Sequence, residues 1–245
     1  MLIQPLAGIL LWPYPVQMST FILHQELSFI ALITDSLATK AHPSGGAKYP
    51  MIAPKLVHVA PCVYAAHAGT WQPALEMLSE LRTKLLATDP ACAITPLLAP
   101  IGTAVYAKYA EIFGSSTFDV RIALVLTGEY RHPDDIAEGR SSTILLWEAA
   151  RRFEPFHTKN SLCFGGSKPL SELATTILAQ PFVAEMLKQS PLSCVQALVA
   201  THAMLAKLST NVSPDLNAMI IGTDNEHAVI HGSMIELPQV ALLMG

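Results

Sequence analysis

The sequence is poor in charge and has no long apolar run. Only 14% of its 245 residues are Asp, Glu, Lys or Arg, while 51% are hydrophobic. No stretch reaches the roughly 18–20 apolar residues that a membrane-spanning helix needs, so we expect no membrane partner. A chain of this size with so little charge is expected to bury much of its surface, in a large core and in subunit interfaces.

Basic residues and paired cysteines are scarce as well. The net charge of −4 leaves no basic patch of the kind that binds nucleic acid. The four cysteines are widely spaced without a Cys-x-x-Cys pair, which is typical of free thiols in a reducing, cytoplasmic compartment. His227 and His231 lie four residues apart, about 13 Å along a strand, so we predict no metal site.

The first residues are unusual for a targeting signal. Residues 1–17 carry no charge and contain Pro5, Pro13 and Pro15. A secretory signal begins with positive charge, and a spanning helix is longer and has fewer prolines. We therefore predict that residues 1–18 are a leader, either upstream of a true initiator at Met18 or a propeptide, and that residues 19–245 form one domain.

Hydrophobic periodicity predicts blocks of strands separated by two pairs of helices. The predicted strands are 20–25, 28–34, 55–60, 62–68, 118–126, 142–148, 162–165, 216–223 and 228–231. The predicted helices are 73–86, 97–113, 169–189 with an interruption at Pro181, and 191–208. Residues 40–54 and 128–139 are predicted to be loops because of their prolines and glycines. The pattern favours an α+β fold.

Four residues near the start fit a scheme of nucleophilic catalysis. Serine is a weak nucleophile that needs a base beside it, and a free α-amino group on Ser19 would titrate near 7.7–8.0, where a general base works well. A Lys55 ammonium nearby would keep that amine neutral by like-charge repulsion. Asp35 would compensate Lys55, and Gly69 would let a backbone N–H approach a developing oxyanion.

The spacing of these residues resembles that of the proteasome β-subunit family of N-terminal-nucleophile hydrolases. Ser19 to Asp35 is sixteen steps, an Ala-Thr pair follows the acid, and Lys55 to Gly69 is fourteen steps. The resemblance is closest to the bacterial branch, HslV and the betaproteobacterial proteasome homologues. Members of the latter group sometimes carry serine in place of the usual threonine.

Neighbouring residues compete for two of these roles. Taking Thr20 as the nucleophile would shorten the first spacing to fifteen steps. Lys40 and Lys48 compete with Lys55, but they lie in the predicted Gly/Pro-rich loop, where a side chain is poorly positioned. The spacing therefore favours Ser19 as the nucleophile, and the loop position of Lys40 and Lys48 favours Lys55 as the cation.

The resemblance implies a four-layer αββα sandwich and a self-compartmentalising peptidase without a cofactor. Its substrates would be peptides or unfolded proteins, and its partners would be further copies of the chain in stacked rings. An ATP-dependent unfoldase is a partner that the resemblance allows. It also implies that backbone groups of Thr39 and Gly69 hold the substrate as an added strand. His67 would lie at the floor of the pocket for the substrate side chain, with Ala38, Ala53 and Trp71 nearby.

Two supporting positions depart from the family pattern. Gly166 stands where the family has a serine, and Ser167 is the candidate to replace it if the loop shifts by one residue. Leu205 stands where the family has an acid near the end of its last helix. These departures favour one alternative, an inactive ring-forming scaffold. A second alternative is an N-terminal-nucleophile amidase that acts on small amides.

Overall fold

A computed structural model describes residues 19–40, 49–87, 94–113, 118–158, 162–165, 168–209, 212–222 and 226–237. These residues form an α+β structure. The helices are α1 (Trp71–Ala87), α2 (Thr95–Phe113), α3 (Pro133–Ala137), α4 (Lys168–Leu178), α5 (Pro181–Gln189) and α6 (Pro191–Leu208). The strands are β1 (Phe21–Gln25), β2 (Phe29–Asp35), β3 (Leu37–Lys40), β4 (Tyr49–Ile52), β5 (Leu56–Ala60), β6 (Val63–Gly69), β7 (Val120–Thr127), β8 (Ser142–Glu148), β9 (Phe156–Thr158), β10 (Leu162–Gly165), β11 (Leu216–Gly222), β12 (His227–His231) and β13 (Ile235–Glu236).

The strands form two large sheets and a short ribbon. The first sheet has the order β10-β1-β2-β11-β12, and the second has the order β13-β5-β6-β7-β8-β9. Strands β3 and β4 pair with each other in the ribbon. The strand pairings are antiparallel except that of β13 with β5.

Alternation along the strands distributes apolar side chains among three cores. On β6, Tyr64 and Ala66 belong to a core shared by strands of both sheets, whereas Val63 and Ala65 face α1 and α2. A third core packs β1, β2 and β11 against α4, α5 and α6. Helices therefore cover one face of each sheet, and β2 is buried along its whole length, which explains its nearly continuous apolar sequence.

Most of the predicted elements are present. The bounds predicted for Ser142–Glu148, Leu162–Gly165 and Pro191–Leu208 agree with β8, β10 and α6, and the predicted break at Pro181 separates α4 from α5. Residues 1–18 lie outside the described residues, so the leader remains a prediction. None of the described helices combines the length and apolar character needed to cross a bilayer.

Two loop predictions are wrong in part. Tyr49–Ile52 forms β4, because it pairs with β3 across the predicted loop. Pro133–Ala137 forms α3, since Pro133 occupies its first turn and His132 Nδ1 accepts the Asp134 N–H at 3.2 Å. The short strands β3, β9 and β13 were not predicted, because two to four residues carry no readable alternation.

Gly102 provides a test of the packing of α2. A Cβ built at Gly102 would lie 2.4–2.7 Å from the Cβ, Cγ and Cδ1 atoms of Phe153, which is buried. Replacing glycine by alanine inside a helix ordinarily stabilises it by roughly 0.5–1 kcal/mol. Here we expect Gly102→Ala to lower the free energy of unfolding in urea by about 1–3 kcal/mol, because the added methyl group overpacks the core.

The matched control is Thr103→Ala, at the exposed neighbouring position. Its effect should stay within about 0.5 kcal/mol. A Gly102→Ala protein more stable than the wild type would contradict the packing described for Phe153.

Candidate active site

The carboxylate of Asp35 is the centre of a buried polar cluster at the end of β2. Its side chain is 0% exposed. Oδ1 accepts the Thr20 N–H at 2.8 Å and a hydrogen bond from Lys55 Nζ at 2.7 Å, and Oδ2 accepts the Leu37 N–H at 3.2 Å. A buried charge is tolerated when it is paired and hydrogen-bonded, and these three donors meet both conditions.

Lys55 supplies the opposite charge from the residue that precedes β5. Pairing of β5 with β6 places it across from His67, whose N–H donates to the Lys55 carbonyl at 3.2 Å. Its ammonium bonds to Asp35 and also donates to the Leu37 carbonyl oxygen. Burial raises the pKa of Asp35 and lowers the pKa of Lys55, because it penalises both charges, while the ion pair opposes both shifts.

Ser19 lies two residues before β1 and is buried at 6% exposure. Its Oγ donates to the Leu37 carbonyl at 3.3 Å and approaches the Gly69 carbonyl at 3.5 Å. Thr20 holds this start of the strand in place, since its carbonyl also accepts the Asp35 N–H at 3.1 Å. The Ser19 hydroxyl and the Lys55 ammonium therefore meet at one backbone oxygen, that of Leu37.

Gly69 ends β6 in a conformation that requires glycine. Its φ is +91°, and a Cβ at this position would lie 2.3 Å from the Asp119 carbonyl oxygen. L-residues with a side chain rarely adopt this conformation. The next residue continues the close approach, because the Thr70 N–H donates to the same Asp119 oxygen at 2.7 Å.

The residues predicted for the substrate pocket have different surroundings in the structure. His67 is fully buried on β6 opposite Lys55. The Ala53 N–H donates to the Ser36 carbonyl at 2.8 Å, next to Asp35. Trp71 begins α1 and belongs to the same apolar core as Ala53.

Ala38 and Thr39 lie on β3, where the structure describes the backbone. They pair with Met51 and Pro50 of β4. Strand β3 begins at Leu37, the residue whose carbonyl accepts the hydroxyl and the ammonium. The Ala-Thr pair therefore leads directly away from the cluster.

The predicted supporting residues Gly166 and Ser167 lie outside the described residues. Strand β10 ends just before them at Gly165, which pairs with Phe21 of β1. A small cavity of about 10 Å³ beside this pair is also lined by Leu205, which is buried. The position where the family has an acid is thus apolar here.

Two contributors to the site were not found from the sequence. Leu37 acts through its backbone oxygen, which has no sequence signal. His202 lies on the buried face of α6, whose other residues are mostly apolar. A polar residue in that position was the sequence signal that could have identified it. Neither ring nitrogen of His202 has a hydrogen-bond partner among the described residues, and the same is true of His67.

Both imidazoles are neutral at pH 7. Burial, and then the charge of Lys55, lower the pKa of His67 to about 3 and the pKa of His202 to about 4. At neutral pH the site therefore combines the Asp35–Lys55 ion pair with a buried hydroxyl, and the two buried histidines add no charge to it. Within the part of the chain that the structure describes, no group of three or more His, Cys, Asp or Glu residues could hold a metal ion.

The two histidines should make stability fall with acidification. An unfolded histidine titrates near 6.5, so between that pH and the lowered folded pKa the unfolded chain binds more protons. Stability is therefore fully present above about pH 6.5 and is lost as the pH falls toward the folded values of about 4 for His202 and about 3 for His67. We expect His202→Leu to reduce the slope of unfolding free energy against pH by up to about 1.4 kcal/mol per pH unit between pH 4.5 and about 6.

The measurement is urea unfolding of both proteins at several pH values. His231→Gln is the matched control, because His231 is exposed on β12, and it should leave the slope unchanged. Asp35, whose pKa is raised by burial, is present in every variant, so its contribution cancels in the comparison. Equal slopes for the wild type and His202→Leu would show that His202 titrates normally in the folded chain.

The resemblance to proteasome β-subunits stays a prediction, and it rests on short sequence motifs. They fall between Ser19 and Trp71, and beyond them only the order of the elements agrees. No protein-family model matches the chain, and no curated protein matches it either.

Proposed function

We propose that this chain is a proteasome-like N-terminal-nucleophile peptidase with Ser19 as its nucleophile. One observation carries the proposal: the Ser19 hydroxyl and the Lys55 ammonium share the Leu37 carbonyl, while Asp35 binds Lys55 and the backbone beside Ser19. The proposal includes a four-layer αββα sandwich. The two sheets, each with helices on one face, are compatible with that fold.

In the proposed mechanism Ser19 Oγ attacks the peptide carbonyl and its own α-amine accepts the proton. The protonated α-amine gives this proton to the leaving amine as the C–N bond breaks, which leaves an acyl ester on Oγ. Water then hydrolyses the ester with the same α-amine as base. The positive charge of Lys55 favours the neutral, proton-accepting form of the amine. The Gly69 N–H stabilises the oxyanion, which is worth roughly 2.7–4 kcal/mol at comparable sites.

The substrate lies as an extended strand between two backbone segments. Thr39 on β3 and Gly69 at the end of β6 supply the main-chain partners. His67 forms the floor of the pocket for the substrate side chain, and Ala38, Ala53 and Trp71 line it. We propose a supporting role for Gly166 or Ser167, the residues that follow β10 along the chain.

The proposed assembly is a homo-oligomer of stacked rings with Ser19 facing an inner chamber. The low fraction of charged residues supports it. Large apolar side chains are exposed on α5 and α6, namely Phe182, Leu192, Met204 and Leu208, and a partner surface would cover them. An ATP-dependent unfoldase would deliver folded substrates to such a chamber.

The competing function is that of an inactive ring-forming scaffold. Leu205 favours it, because a buried leucine stands where the family has an acid. The intact cluster of Ser19, Asp35 and Lys55 opposes it, because a scaffold has no need of a hydroxyl on the same carbonyl oxygen as the ammonium. Reaction of Ser19 with a serine-directed acylating inhibitor, mapped by mass spectrometry, separates the two functions.

Replacing Lys55 tests the electrostatic part of the mechanism. We expect Lys55→Ala to abolish peptide hydrolysis while the chain still folds. The α-amine of Ser19 then loses the nearby positive charge that keeps it neutral. Asp35 is left as a buried unpaired charge, so the free energy of unfolding should fall by about 3–5 kcal/mol. Peptide turnover and urea unfolding are the two measurements.

Two further proteins separate loss of stability from loss of catalysis. The double variant Asp35→Asn with Lys55→Met removes both charges and should recover much of the stability without recovering activity. Lys108→Ala removes an exposed partner of Glu76 and should leave turnover unchanged. Near-normal hydrolysis by a folded Lys55→Ala protein would remove Lys55 from the mechanism.

Activity should require a free amino group on Ser19. A chain that keeps residues 1–18 has an amide nitrogen at Ser19, which cannot accept a proton. We therefore expect a protein translated from Met18, and processed to Ser19, to hydrolyse peptides, whereas the full-length chain is inactive. Each preparation is assayed with the same fluorogenic peptides, and its intact mass is measured.

The control for this comparison is Ser19→Ala translated from Met18. It keeps a free amine but no hydroxyl, and it should be folded and inactive. Turnover by a chain whose mass shows residues 1–18 still attached would refute the N-terminal-nucleophile mechanism.

A further inference from the structure

Ser36 lies between the two residues that organise the site, Asp35 and Leu37. Its N–H donates to the Asp215 carbonyl at 3.0 Å, and its carbonyl accepts the Ala53 N–H at 2.8 Å. Both peptide groups that flank Ser36 are therefore held from outside β2. This short segment determines where the Leu37 carbonyl lies.

Asn217 on β11 holds the side chain of Ser36. It is 3% exposed, its Nδ2 donates to Ser36 Oγ at 3.1 Å, and its Oδ1 accepts the Ser233 N–H at 2.9 Å. A backbone N–H can only donate, so the amide oxygen must face Ser233 and the NH₂ group must face Ser36. The bond to Ser36 therefore has a defined direction.

Asparagine suits this position better than its nearest relatives. Aspartate could accept from the Ser36 hydroxyl and from the Ser233 N–H but would add a buried charge, whereas leucine would bond to neither. The turn after β12 also closes on this side chain: a Cβ at Gly232, where φ is +73°, would lie 2.3 Å from Asn217 Oδ1. The amide thus has little room to change its orientation.

We propose that Asn217 is a positioning residue for the reaction, acting through Ser36 on the Leu37 carbonyl. This inference rests on the proposed function, because the Leu37 oxygen is where Ser19 Oγ and Lys55 Nζ meet. Asn217 touches neither the nucleophile nor the ion pair in any of its hydrogen bonds described above. Its effect is to hold the acceptor for both groups in one place.

The test uses Asn217→Leu, Ser36→Ala and the double variant, each with a free Ser19. We expect each single variant to lower kcat about ten-fold with KM changed less than two-fold, because a small displacement of reacting groups is costly in rate. The double variant should lose no more than the single variants, since Asn217 acts through Ser36. If the loss of kcat in the double variant equals the product of the two single-variant losses, the residues act independently and the proposal is overturned.

Gly102→Ala is the control matched for stability. It weakens packing at Phe153 without touching the site. It should therefore keep the wild-type kcat although its unfolding free energy falls about as much as in the Asn217 and Ser36 variants. An equal loss of kcat in Gly102→Ala would show that instability alone explains the effect, and would overturn the positioning role. Wild-type kcat in Asn217→Leu or in Ser36→Ala would overturn it as well.

Hydrogen exchange separates this inference from the proposed function. The Leu37 N–H donates to Asp35 Oδ2, so its exchange, followed by mass spectrometry of peptides that span it, should be faster in Asn217→Leu and Ser36→Ala. An inactive wild type would refute the peptidase, and exchange would then decide the role of Asn217. Faster exchange in both variants supports its hold on Leu37, and unchanged exchange in either overturns it.

Discussion

The buried ion pair between Asp35 and Lys55 is the constraint on which the rest of the structure depends. Taking two charges out of water costs several kcal/mol for each ion, and the cost is recovered only when the geometry is good and other donors complete the bonding. Asp35 ends a strand of the first sheet, and Lys55 precedes a strand of the second. The pair is therefore a charged tie between two sheets that share an apolar core.

The same pair organises the chemistry around it. Carboxylate bonds to Thr20 and Leu37 place the start of β1 beside the first residue of β3, so Ser19 and Lys55 converge on one carbonyl oxygen. Burial keeps His67 and His202 uncharged, and the charge of Lys55 adds to that effect. A single buried cation thus influences a hydroxyl and two imidazoles that come from separate elements.

Support for the site comes from the first sheet as well as from the helices. The position occupied by Leu205 on α6 offers only apolar contact. On the other side, β11 and the residue before it hold Ser36 by a side-chain amide and a carbonyl. We infer that the network that orients this site has its polar contacts on the β11 side, where the proposed role of Asn217 belongs.

The sequence by itself determined the local elements and the chemical candidates. Strand and helix periodicities and the breakers at Pro181 and Gly69 are local signals, and the spacing of Ser19, Asp35 and Lys55 could be counted. The tertiary structure alone decided the order of the strands in each sheet, the short strands, helix α3 and the roles of Leu37 and His202. The physical reason is that a backbone carbonyl carries no side-chain signature, and pairing between distant strands depends on packing that no local pattern contains.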